Sequence, residues 1–270
     1  SDSSLTVVLD FLVGLAMAVL VGLVILGGIK SIARVVSKIV PFMCVFYVVG
    51  CLVIVVMNYD KLISAFGMIF YYAFHSPESI SGGLLGTVIR QGVARGLFSN
   101  EAGLGSAAIA HGAAKTDEPV REGLVAMLGP FIDTIVICSL TAIVIIITGA
   151  YTCCENKAEV TSVAFEIGLG SAWGSKFVLV AMIFFALSTT ITWSYYGDRS
   201  VDFLFGKKAV KPYRIIYLCF IVLGACATID LVIGFCDAMN GLMAIPNLIA
   251  LIFFSGEVSS MTRDYMRNRQ

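Results

Sequence analysis

Residues 11–29 contain no charged side chain. A helix that crosses a bilayer needs about 20 largely apolar residues. In hydrocarbon each backbone N–H and C=O must be paired within the protein, so an isolated run of this kind can only cross as a helix. Comparable runs follow at 39–59, 134–154, 177–197 and 238–256. The run 215–229 is shorter, but Tyr213 and Arg214 before it can snorkel and lengthen it. Composition agrees with this count. Apolar residues make up 59% of the chain, charged ones 13%, and mean hydropathy is +0.94. A soluble domain carries about 25% charged residues. The expectation is an all-α polytopic membrane protein.

Residues 84–114 form a seventh span of a different kind. Arg90, Arg95 and Glu101 interrupt a stretch crowded with glycine and alanine. Such a segment is long enough to cross but polar in its middle, which predicts a broken helix. Ahead of it, 62–74 is apolar but too short to cross, and it reads as interfacial or re-entrant. The short piece 160–167 is placed on the same side.

Lys and Arg then set the orientation. Alternate loops hold Lys30, Arg34 and Lys38; Lys115 and Arg121; the five basic residues from Arg199 to Arg214; and Arg263, Arg267 and Arg269. These are thirteen of the 18 basic residues. This side is assigned to the cytoplasm, so the first span runs outside to inside and the tail after Glu257 is cytoplasmic. The chain begins without Met in a short polar stretch and reads as a piece of a longer protein.

Several function classes find little support. Formal net charge is zero, so nothing favours nucleic acid. Most of the eight cysteines lie in apolar runs, where they act as small hydrophobes. Cys153 and Cys154 are adjacent, which is not a zinc spacing. His75 and His111 are isolated, and no HExxH, GxSxG or phosphate-loop string occurs, so no enzyme and no cofactor are expected.

The break is expected around Ser99, Asn100 and Glu101, residue types that end one helix and cap the next. At membrane depth a break is tolerated only where it is buried in protein or lines a cavity. There it presents carbonyls to a cation or ammonium and amides to a carboxylate. An amino acid zwitterion carries both. The plainer alternative is a loop between two interfacial helices.

Three strings carry a specific resemblance: GVARGLFSNEAGLGSAAIAHGAA at 92–114, GLVAMLGPFIDT at 123–134 and GGIKSI at 27–32. They resemble the alanine or glycine:cation symporter family, also called the sodium:alanine symporters. The resemblance implies a LeuT-type fold of two inverted five-helix repeats with substrate and ion at the midplane. On that template the seven spans are core helices four to ten, and the family's first three are missing partners. Residues 1–60 would end the first repeat, 61–83 would be extracellular or interfacial, 84–256 would form the second repeat and 257–270 the tail.

The resemblance also implies roles. Phe98 would wall the amino acid pocket, with Ser99 and Asn100 meeting the substrate at the break. Ser188, Thr189 and Thr190 lie mid-span and would supply hydroxyl oxygens to sodium, although such hydroxyls can also bond back to helix carbonyls. Thr189 and Trp193, four apart on one face, would border a pocket small enough for alanine or glycine. Glu101, Asp133 and Asp237 are ionisable groups in or near spans, with coupling or structural roles. The implied activity is sodium-coupled symport of a small neutral amino acid in the plasma or inner membrane. Proton-coupled or uncoupled transport on the same fold, and a non-transporting membrane scaffold, stand beside it.

Overall fold

The computed structural model describes residues 3–75, 92, 96, 99–101, 103–153 and 159–268. All regular structure among them is helical. In chain order the helices are α1 (Ser3–Ile25), α2 (Ile29–Met57), α3 (Leu62–His75), α4 (Ser106–His111), α5 (Pro119–Thr148), α6 (Val160–Leu169), α7 (Trp173–Phe205), α8 (Val210–Ala225) and α9 (Ile229–Arg267). Within α5, Phe131–Cys138 winds as a π-helix.

Five of these are long and apolar enough to span a bilayer: Leu5–Ile25, Ile29–Met57, Pro119–Thr148, Trp173–Phe205 and Ile229–Arg267. Each overlaps one of the expected apolar runs, and the chain is a multi-pass membrane protein. The helices outrun the apolar stretches at their N-terminal ends, and α7 and α9 at both ends, because polar turns are also helix formers. Lys30, Arg34 and Lys38 open α2, and the supposed tail after Glu257 is still wound to Arg267. Pro119 starts α5 at a position where its missing N–H costs nothing, and Gly149 ends it with φ 70. The run 215–229 becomes α8, 16 residues or about 24 Å long, which is shorter than the hydrocarbon core. Of the seventh expected span, 84–114, residues 92, 96, 99–101 and 103–114 are described and the others lie outside the described residues.

The chain divides into two compact units. One comprises Ser1–Val40, Gly103–Leu124 and Phe185–Gln270. Here α1 packs on α8 through small residues. A Cβ on Gly14 would stand 2.6 Å from the Ala225 Cβ, and one on Gly22 would stand 3.3 Å from Leu218. Ala18, between them, is buried. Small residues four apart let backbones approach closely where the hydrophobic effect between helices is weak. Val21, Ile25, Ile32 and Ile191 form the core beside this seam. α8 is fastened to α7 at two heights. Tyr217 donates to the Thr190 carbonyl at 2.7 Å, and Arg214 grips Asp198 through Nε (3.0 and 3.2 Å) and Nη2 (2.6 Å).

The other unit comprises Pro41–Ala102 and Val125–Phe184. Its core is aromatic. Phe165 is fully buried, 5.7 Å from the Tyr47 ring and 5.4 Å from Phe177, which stacks on Phe46 at 4.3 Å. Ile54 sits tight against Gly168, and Asn58 donates to the Gly168 carbonyl at 3.2 Å, fastening the end of α2 to α6. Elsewhere large apolar side chains are exposed, and the most apolar window of α9 buries none of its residues. A face like that suits lipid or another helix.

Candidate functional site at the helix break

Gly96, Ser99 and Asn100 are helical, and the winding is lost just after them. Glu101 takes φ 52, Gly103 φ 81 and Gly105 φ 88, before α4 resumes at Ser106. The left-handed conformation at Glu101 is costly for a residue with a Cβ, on the order of 1–3 kcal/mol. The break thus falls a few residues later than the sequence suggests. Neither Ser99 nor Asn100 caps the second helix. Its N-cap is Gly105, and Asn100 instead bonds backward, Nδ2 to the Gly96 carbonyl at 3.0 Å. The αL residues at 101, 103 and 105 carry the chain beyond the reach of an ordinary cap.

Ser99 and Asn100 belong to the aromatic-cored unit, and there they meet the π-helical turn of α5. Ser99 Oγ donates to Asp133 Oδ2 at 2.7 Å and lies 3.7 Å from Cys138 Sγ. Asn100 Nδ2 also donates to Thr134 Oγ1. The half-buried Asp133 therefore has a hydroxyl partner. Asn100 Oδ1 is buried and, among the described residues, has no hydrogen-bond partner. A buried acceptor of this kind is rare and calls for an explanation. Phe98 lies outside the described residues, as does Arg95.

Beyond the break, in the other unit, Asn247 of α9 holds the chain. Its Nδ2 donates to the Gly103 carbonyl at 2.9 Å. A Cβ on Gly105 would stand 3.2 Å from Asn247 Oδ1, so this glycine is needed for both its φ and its closeness. Ser106 is fully buried, and its hydroxyl has no partner among the described residues.

The hydroxyl run on α7 lies in that same unit. Ser188 is buried and donates to the Phe185 carbonyl at 3.0 Å, and Thr190 donates to the Ala186 carbonyl at 2.7 Å. Thr189 is exposed. Back-bonding directs each hydrogen at the helix and leaves oxygen lone pairs turned outward, which a cation can use. Successive helical residues point about 100° apart, so the three oxygens fan around the helix rather than converge. Trp193 is half-buried, edge-on to Tyr196 at 5.7 Å. Asp237 is an exposed residue within α9, and His111 pairs with Glu122 at 2.7 Å rather than standing alone. No cluster of three or more His, Cys, Asp or Glu suited to a metal ion occurs among the described residues.

The contacts of Thr134, Cys138 and Asn247 are not read from sequence. One signal was available for the first. Asp133 and Thr134 are adjacent polar residues between the apolar residues Phe131, Ile132 and Ile135 to Cys138 of α5, and each lies 34 residues from its partner at the break.

A family model described as the sodium:alanine symporter family matches residues 3–270. An uncharacterised transporter of Haemophilus influenzae is 46% identical over 93% of this chain and 56% of its own length. The sodium/alanine symporter AgcS of Methanococcus maripaludis is 45% identical over 95% of this chain and 57% of its own. The probable sodium/glutamine symporter GlnT of Bacillus subtilis is 36% identical over 95% and 54%. The chain spans about half the length of the curated relatives it matches.

Proposed function

This chain belongs to the sodium:alanine symporter family, a family of transporters and not enzymes, and we propose that at full family length it is a sodium-driven symporter of small neutral amino acids. One observation supports the reading above the others. The helix is interrupted beside Asn100, whose amide oxygen is buried with no partner among the described residues. An acceptor held in that state is set to receive a hydrogen bond from an ammonium group. The substrate is assigned to Ser99 and Asn100, with Phe98, Thr189 and Trp193 carried over by resemblance.

Sodium is the co-transported substrate, and no resident cofactor is invoked. Its ligands are assigned to Ser188, Thr189 and Thr190, whose hydroxyl oxygens are hard donors of the type that alkali cations take. Proton coupling through Glu101 or Asp237 and a scaffold role are the competing readings. The proposed frame is the LeuT-type inverted repeat, with residues 257–270 on the cytoplasmic side, where most Lys and Arg fall.

The test is uptake of radiolabelled alanine by the full-length protein in proteoliposomes, with an inward sodium gradient or with choline in its place. Removal of sodium is expected to lower uptake by at least about tenfold, as the loss of a coupled driving ion should. Asn100→Ala is expected to raise KM for alanine by about tenfold, the effect of one hydrogen bond to a charged group. Thr189→Ala should shift the sodium concentration giving half-maximal uptake. An unchanged KM for alanine in Asn100→Ala and unchanged sodium dependence in Thr189→Ala would remove the residue assignments, and uptake indifferent to sodium in the wild type would favour uncoupled transport. Unlabelled glutamine as competitor tests the substrate named for the Bacillus relative.

A further inference from the structure

The π-helical turn has a use beyond the substrate contacts proposed above. In an α-helix successive residues advance about 100°, so positions 133 and 138 would diverge by roughly 140°. With about 4.4 residues per turn, the π-helix brings them within roughly 50° of each other. That change of pitch puts Asp133, Thr134 and Cys138 on one face, and all three meet Ser99 or Asn100.

The turn is braced from its far side. Ser139 Oγ donates to the Thr134 carbonyl at 3.1 Å, and Thr141 Oγ1 to the Ile137 carbonyl at 2.8 Å. Tyr47 Oη lies 2.8 Å from Thr141 Oγ1. These hydroxyls support a wide turn whose own backbone ladder departs from the α pattern.

We propose that Asp133 is a positioning residue for amino acid binding. It orients Ser99 through the Oγ–Oδ2 bond while Thr134 orients Asn100, so that two parallel bonds fix the last helical residues before the break. The inference rests on the reading of the break as the substrate site. It differs from an ion-ligand role because what matters is an acceptor oxygen at this spot and not the negative charge.

That difference is measurable in the full-length protein. Asp133→Asn keeps the size and an acceptor oxygen, whereas Asp133→Ala keeps neither. Asp133→Ala is expected to raise KM for alanine by about tenfold or more, with a smaller change in maximal rate. Asp133→Asn is expected to recover most of that loss, to within about threefold of wild type, with sodium dependence intact. Ser99→Ala combined with Asp133→Ala should be no worse than Ser99→Ala alone, because Asp133 acts through the bond that Ser99→Ala has already removed. If Asn at 133 is as damaging as Ala, or sodium dependence disappears with it, the charge is what matters and the proposal fails.

A second measurement does not depend on transport. In Ser99→Cys the new thiol faces Cys138, and copper–phenanthroline should oxidise the pair to a disulfide, with two electrons and two protons leaving. The linked peptides are read by mass in a non-reduced digest, with Ser99→Cys in a Cys138→Ala background as the control. Failure to link would overturn the π-face geometry even if uptake is sodium-driven. Efficient linking in a protein without alanine uptake would leave the juxtaposition standing, and would overturn the positioning role together with the function it serves.

Discussion

Arg214→Ala is expected to destabilise the protein by about 3–5 kcal/mol, the usual cost of removing one partner from a buried ion pair. The geometry explains the size of the effect. The guanidinium makes a fork of three contacts between 2.6 and 3.2 Å, and the Asp198 side chain is only 2% exposed. Without Arg214 its carboxylate would be left without its guanidinium where water does not reach. The pair also joins α7 to α8 next to a tight contact, since a Cβ on Gly197 would stand 1.7 Å from the Tyr213 hydroxyl oxygen. Removing both charges together, as Asp198→Leu with Arg214→Met, should lose much less than either single change, because no uncompensated charge remains. Thermal unfolding of the detergent-solubilised full-length protein measures Arg214→Ala, the two single changes and the double variant. A double variant as unstable as the sum of the singles would show that the residues contribute separately, not as a pair.

Gly174→Ala is expected to cost about 1–3 kcal/mol through overpacking. A Cβ there would lie 2.3 Å from the Phe165 carbonyl oxygen and 2.6 Å from the Glu166 nitrogen. Both are backbone atoms of α6, so no side chain can swing aside. The turn is tight on either side: Gly174 N–H donates to the Ser171 carbonyl at 2.9 Å, and Ser175 Oγ donates to the Glu166 carboxylate. Because Phe165 anchors the aromatic core, a shift of its backbone also disturbs Tyr47 and Phe177. Gly256→Ala is the contrasting control. Nothing lies within 4 Å of that position in the middle of α9, so alanine should stabilise the helix by roughly 0.5–1 kcal/mol. The same unfolding assay reads both, and a neutral Gly174→Ala would mean that α6 and α7 can separate freely.

Much of this protein was legible before its structure. Charge-free runs of about 20 residues can only be satisfied as helices in lipid. That requirement is local, so it can be read from the order of the residues: five described helices have the necessary length and polarity, and each overlaps a predicted run. The glycine- and polar-rich interruption after Ser99 was legible for the same reason, since helix-breaking chemistry acts on its own neighbours. Helix ends were less visible. Lys30, Asp237 and Arg267 are polar yet keep the helix going, and hydropathy reports solvent preference rather than backbone winding.

Tertiary structure decided where the polar groups point. Ser99 and Asn100 read from sequence as caps, and they serve instead as arms reaching Asp133 and Thr134, 34 residues away. His111 read as isolated and has Glu122 at 2.7 Å. Nor does anything in the string 131–138 announce a π-helix, which forms when distant partners favour a wider turn over the α pattern. A hydrogen bond between remote segments is worth only about 1 kcal/mol net and leaves no periodic trace in the sequence, so only the folded chain reveals it.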